Sequence, residues 1–284
     1  MEFVMQQGCL PSVHKILKRG VLVSLLACGL AGCASSPTGR SQVLMYSPAQ
    51  MAELGEQSFS QLKQQQPVVK DARTRRYVQC VADAVTSALP AYTGDPAVSA
   101  QQWEVVVFDS PEVNAFALPG GKIGVYSGLL KVAENQDQLA TVIGHEVSHV
   151  LAQHSNERLS RSQLAALGMN IAGSVLGEQA YGQEAMAALG LGVQVGVLLP
   201  YGRAQESEAD DLGLTLMAQA GFDPRQAVIL WQRMAAQEGT APVALLSTHP
   251  SSQTRISQLQ AWEARALPLM QQAHAAGRRP QCKR

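Results

Sequence analysis

Neither sign of charge predominates in this chain. Lys and Arg number 22 against 22 Asp and Glu, a formal net charge of +0 over 284 residues. Phosphate binding needs a basic excess, so this balance argues against a nucleic-acid partner. Aromatic residues are scarce, at 5%. With many Ala, Gly, Gln and Ser residues, that scarcity suggests helices packed closely on small side chains. The apolar run from Val21 to Leu30 falls short of the roughly 20 residues a bilayer-spanning helix takes. Cysteines number only 5, which is too few for a disulfide-built scaffold. What is present is a 46% hydrophobic content, enough for one substantial core or two small ones.

The first residues read as an address. His14, Lys15, Lys18 and Arg19 form a basic region ahead of the apolar run, as in a bacterial export signal. The run ends in Leu30-Ala31-Gly32-Cys33, which resembles the lipobox of bacterial lipoproteins. That resemblance implies cleavage before Cys33, acylation of its thiol and anchoring in the outer membrane by the N-terminal lipid. Ala34 stands where an Asp would imply retention at the inner membrane. The expected location is therefore the periplasmic face of a bacterial outer membrane. Residues 1–32 are then a signal peptide, 33–46 a lipidated N-terminus and flexible tether, and 47–284 the domain. Cys9 and Cys28 leave with the signal, so Cys80 and Cys282 remain in an oxidising compartment. A disulfide between them is expected, worth about 4–5 kcal/mol in the chain-entropy model, and the alternative is two unpaired thiols.

Within the domain, Ser47-Pro48 has helix-start chemistry, followed by Met51, Leu54, Phe59 and Leu62 at helical spacing until Pro67. A second helical pattern covers 72–89, and 90–96 reads as a loop. Residues 103–108 are rich in β-branched and aromatic side chains and predict a strand. Two more are expected at 114–118 and 122–126, joined by the turn Pro119-Gly120-Gly121. After Leu129 the pattern is helical, with a stop at Gly221 and a restart at Asp223-Pro224. A small sheet segregated among many helices is α+β. The stretch 164–199 is dominated by Ala, Gly, Leu, Val and Gln and reads as close-packed core helices.

The chemistry concentrates around position 145. His145-Glu146-Val147-Ser148-His149 lies inside a pattern whose apolar residues, Leu139, Val142, Ile143, Val150 and Leu151, fit a buried helix. Histidines four apart share a helical face and can present two imidazole nitrogens to one Zn²⁺. Glu146, offset by one residue, can take a proton from metal-bound water. Burying two histidines and a glutamate on an apolar helix would be costly without a partner, and a metal supplies one. A catalytic zinc takes a third protein ligand, for which the acidic segment 203–213 is the best source. Spacing alone leaves Glu206 and Glu208 as alternatives, beside the plainer reading of a solvated acidic face.

His-Glu-Val-Ser-His, the later Glu206-Ser-Glu-Ala-Asp210, Asn114-Ala-Phe-Ala-Leu-Pro-Gly-Gly121 and Ser247-Thr-His249-Pro250 together resemble a gluzincin family. It is family forty-eight of the metallopeptidases, typified by the CAAX prenyl endopeptidase and the HtpX protease, with a periplasmic branch. The resemblance implies a mainly helical zincin-type domain with a small three-stranded sheet beside the His-Glu-x-x-His helix. It also implies one Zn²⁺ per chain held by His145, His149 and Glu206. Asp210 would then be the carboxylate that orients a ligand histidine, and Glu146 the general base. His249 would cap the metal in a latent state or stabilise the oxyanion in an open one. Asn114, Ala115, Phe116 and Ala117 would bind an extended substrate by strand addition. His154, nine residues after His145, is read as structural. The implied activity is endoproteolysis of unfolded or misassembled envelope proteins, and the competing reading is a zinc-stabilised chaperone or assembly scaffold.

Overall fold

The computed structural model describes residues 33–94, 101–176, 201–237, 245–246, 249 and 253–284, with backbone alone over 166–176. The expected signal segment 1–32 lies outside the described residues, as do positions 177–199 of the Ala- and Gly-rich stretch. No helix among the described residues is long and apolar enough to cross a membrane.

The segment expected to be a flexible tether is folded. β1 (Cys33–Ser35) and β2 (Ser41–Val43) form an antiparallel hairpin with Cys33 opposite Val43. Its composition does suit a loop, and Gly39 turns the chain at φ 86°. What orders it is long-range. Arg40 pairs with Glu157 and Glu208, partners that no local pattern could reveal.

Helix α1 (Pro48–Gln65) begins as expected, with Pro48 in its first turn. Ser47 Oγ accepts from Gln50 N–H while Gln50 Oε1 accepts from Ser47 N–H. α2 (Ala72–Ser87) is capped by Asp71, which accepts from Thr74 N–H at 2.7 Å. Part of the expected 90–96 loop is instead a short helix, α3 (Leu89–Thr93). Pro90 sits in its first turn, where a missing N–H costs nothing, so this proline starts a helix rather than ending one.

The three expected strands form one sheet: β3 (Glu104–Phe108), β4 (Ala115–Leu118) and β5 (Lys122–Tyr126). β5 is central, parallel to β3 and antiparallel to β4, which leaves β4 at the edge. Gly120 and Gly121, at φ 83° and 74°, make the β4–β5 turn that other residues would strain to adopt. One face of the sheet packs Phe108, Phe116 and Tyr126 against Phe59 of α1. The other sends Val107, Ala115, Ala117, Ile123 and Val125 into the main core.

That core is built around α4 (Gln136–Leu151), buried along nearly its whole length. α5 (His154–Leu176) follows, then α6 (Arg203–Gln219), α7 (Arg225–Gln237) and α8 (Gln253–Ala275). β4 packs along α4, so the sheet lies beside the motif helix as expected. Cys80 of α2 and Cys282 form a disulfide, with Cα atoms 5.7 Å apart.

Candidate metal centre

Two helices carry the site. α4 is started by Asn135, whose Oδ1 accepts from the N–H groups of Asp137 and Gln138, and its apolar residues then bury it. α6 lies against it at backbone contact. A Cβ on Gly144 would stand 3.0 Å from Gly213 O, and one on Gly213 would stand 2.9 Å from His145 N. Paired glycines thus let the two helices approach until the first turn of α6 faces the two histidines.

The side chains converge. His145, His149, Glu206 and His249 are buried and each offers a ligand atom within 4.8 Å of the others. His149 Nε2 is 3.0 Å from His145 Nε2, and His249 Nδ1 is 3.2 Å from His145 Nε2 and 2.9 Å from Glu206 Oε1. Glu206 oxygens stand 3.5 and 3.4 Å from the Nε2 atoms of His145 and His149. Donors placed tetrahedrally around a metal at the usual nitrogen and oxygen distances are on the order of 3.3 Å apart. Spacing therefore fits a bound cation.

Protons point the same way. His145 Nδ1 lies 3.0 Å from Asp210 Oδ1, a neighbour that favours the proton on Nδ1 and leaves a lone pair on Nε2. His154 Nε2 faces Glu208 Oε2 at 3.1 Å, so His154 donates there and its Nδ1 is left to accept. His149 Nδ1, 2.7 Å from His154 Nδ1, must then be the donor of that pair. Both Nε2 atoms can consequently turn toward one point, 3.0 Å apart, an arrangement that needs a proton or a metal ion between them.

The surrounding charge agrees. Burial opposes ionisation of Glu206, yet bonds from His145, His149 and His249 hold its carboxyl far below the usual range. Asp210 is also depressed against burial, chiefly by Arg255. Burial works against charge on His145, but Asp210 and Glu206 outweigh it and bring its pKa to about 9. Glu206 and Asp210 thus stay ionised in a buried site, which suits it to a cation. Burial pushes the Glu146 carboxyl up. Its Oε1, 3.4 Å from His249 Nε2, has no hydrogen-bond partner among the described residues. An unengaged basic oxygen at that place is available to a reacting water.

Sequence reasoning missed two residues here. Arg255 donates to both oxygens of Asp210, at 2.6 and 2.8 Å, and its Nη1 lies 2.7 Å from Glu206 Oε2. Its guanidinium stacks over Trp231 at 4.2 Å. Tyr201 stacks on the His149 ring at 3.9 Å and lies 5.0 Å from His249. Arg255 lies five residues after Pro250 with no motif around it. Tyr201 follows Pro200 with no periodic signal, so neither could be found from spacing. Glu208, one of the two alternatives left by spacing, points away from the cluster toward His154 and the hairpin. His154 touches His149 rather than standing apart.

Peptidase family M48 matches residues 73–263, well over half of the chain and including every residue of the cluster. The chain belongs to Peptidase family M48. It is a family of metallopeptidases, and the buried donor set above is the expected seat of their metal. Mitochondrial metalloendopeptidase OMA1 of Schizosaccharomyces pombe is 42% identical over 163 residues, 57% of this chain and 47% of that one. Metalloendopeptidase OMA1, mitochondrial, of Danio rerio is 33% identical over 257 residues, 82% of this chain and 50% of its own. Beta-barrel assembly-enhancing protease of Escherichia coli is 26% identical over 226 residues, 77% and 45% of the two chains. This chain thus spans half or less of each of these relatives.

These matches correct the expected location. The relatives at 42% and 33% identity are named as mitochondrial enzymes, and the bacterial assembly protease matches less well. The periplasmic face of a bacterial outer membrane is therefore withdrawn as the site of action. The physical reason is that M48 similarity resides in the folded residues 73–263, whose packing carries no address.

Proposed function

We propose that this M48 chain is a zinc-dependent endopeptidase acting on unfolded or misassembled proteins. The observation that carries the proposal is the convergence of two imidazole Nε2 atoms and the Glu206 carboxylate beside Glu146. Three nitrogens and one carboxylate form a donor set that suits zinc. His145, His149 and Glu206 would hold it, with Asp210 and Arg255 fixing His145 and Glu206. Zinc held there would supply a water of lowered pKa, about 7, and polarisation of the scissile carbonyl. Glu146 then takes the water proton at a carboxylate oxygen as the water oxygen attacks the carbonyl carbon. It returns that proton to the amine nitrogen as the C–N bond breaks. The substrate chain would lie along β4, whose outer edge pairs with no other strand among the described residues and where Asn114 to Ala117 offer backbone pairing that ignores side-chain identity. Such recognition needs an extended chain, which supports unfolded proteins as the substrate class.

The test is Glu146→Gln. Zinc per chain should stay at wild-type level while cleavage of an unfolded protein falls by about 100-fold or more. Undiminished cleavage sinks the assignment. His249 inside the donor set favours a second reading, a latent or scaffold form in which its ring takes the position that water needs. Under the scaffold reading the cellular role survives Glu146→Gln. Under the endopeptidase reading with a latent cap, His249→Ala raises the initial cleavage rate.

A further inference from the structure

Glu208 is the residue that spacing could not distinguish from Glu206, and its surroundings are unusually well built for a group outside the ligand cluster. Its side chain is 3% exposed. Thr38 Oγ1 donates to its Oε1 at 2.6 Å, Arg40 Nε to its Oε2 at 2.9 Å, and His154 Nε2 to the same oxygen at 3.1 Å. Two of these three donors belong to the N-terminal hairpin. Arg40 is itself held by a two-pronged pair to buried Glu157, at 2.7 Å on each side. The chain after the hairpin is fastened too. Met45 N–H donates to Ser160 Oγ at 2.8 Å, and Asn156 Nδ2 donates to Tyr46 O at 2.8 Å.

We propose that the β1–β2 hairpin is a positioning element of the metal site, acting through the relay Thr38 and Arg40 to Glu208, Glu208 to His154, and His154 to His149. This rests on His149 being a metal ligand. A neutral imidazole carries one N–H. Glu208, pinned by the hairpin, holds the His154 proton on Nε2, so His154 Nδ1 can only accept. His149 must then keep its own proton on Nδ1, which leaves its Nε2 lone pair facing the other ligands. If the hairpin leaves, Glu208 loses the donors of Ser36, Thr38 and Arg40 and is free to turn from His154. His154 can then carry its proton on Nδ1 and donate it to His149 Nδ1. The His149 proton moves to Nε2, and the atom that should bind metal is blocked. Docking of residues 33–43 thus sets metal affinity from the far side of the molecule's ligand shell. Any partner or processing event that displaces the hairpin would lower it.

The test is zinc affinity of the full chain, measured by competition with a chromogenic chelator, in a double-mutant cycle on Arg40→Ala and His154→Asn. Each single variant should bind zinc about 10- to 100-fold more weakly, the usual loss when a partner of a ligand histidine is removed. In the double variant, Arg40→Ala should add little beyond His154→Asn, because the relay is already cut. Thr38→Val, which removes one donor to Glu208 and keeps Arg40, should weaken zinc about five-fold while the chelator-treated protein still melts cooperatively, with at most a small fall in melting temperature. Additive losses in the double variant, or unchanged zinc affinity in Arg40→Ala and Thr38→Val, overturn the proposal. A wild-type chain that binds no zinc overturns the metal-site reading itself, an outcome distinct from a variant-specific result.

Discussion

At the residue scale, the acids of α6 show what spacing can decide and what it cannot. Glu206 and Glu208 are both buried, so neither exposure nor the helical period separates them. Only the tertiary arrangement does, by placing the hairpin and His154 on one side of the helix and the histidine pair on the other. Glu206→Ala is expected to abolish stoichiometric zinc, read by elemental analysis, whereas Glu208→Gln should weaken binding and leave a saturable site. Full zinc retention in Glu206→Ala would remove it from the ligand set. Glu208 also makes a pH prediction. Burial alone would raise its carboxyl, but bonds from His154, Ser36, Thr38 and Arg40 outweigh that and hold it well below the ordinary 4.5. A carboxyl depressed in the folded state stabilises above its unfolded pKa, and that contribution drains as pH falls toward the folded value. Melting temperatures in chelator should therefore drop below about pH 4.5, and less steeply in Glu208→Gln than in wild type. Equal slopes would mean that the bonds to Glu208 contribute nothing.

At the scale of elements, local signals worked at several points where the partner lay within a few residues, though not at Pro90, which starts α3 inside an expected loop. Ser47-Pro48 marked the start of α1, and the Gly120-Gly121 pair marked the β4–β5 turn. His145 and His149 were placed on one helical face by their period alone. The signals failed where the partner was distant, as in the hairpin, whose order comes from Glu157 and Glu208 more than a hundred residues away. The α4–α6 contact belongs to the same class. Gly144 and Gly213 carry no sequence signal of their own, yet a Cβ at 213 would press on His145 N at 2.9 Å. Backbone cannot yield as a flexible side chain does, so α6 must move away and carry Glu206 with it. Gly213→Ala is expected to destabilise the fold by about 1–3 kcal/mol and to weaken zinc binding together with stability. A variant with wild-type zinc affinity would show that the helices can separate without disturbing the ligands.

At the scale of the whole molecule, the α+β class followed from composition and period because it depends only on which elements exist. The location did not follow, since an N-terminal address and a peptidase fold are physically independent. The disulfide between Cys80 and Cys282 ties these scales together. The tail it fixes is also held by Gln136, which accepts from Cys282 N–H at 2.8 Å and donates to Pro280 O at 3.0 Å. Gln136 opens α4, so the C-terminus braces the start of the very helix that carries His145 and His149. The bridge closes a loop of 202 residues, for which the chain-entropy model gives about 5 kcal/mol, acting mainly on the unfolded state. A term of that origin leaves the folded geometry alone. Cys282→Ser should accordingly lower unfolding free energy by about 2–5 kcal/mol in denaturant titrations, while zinc affinity at room temperature stays at the wild-type value. A parallel fall in zinc affinity would show that the tail positions α4, rather than only limiting the unfolded chain.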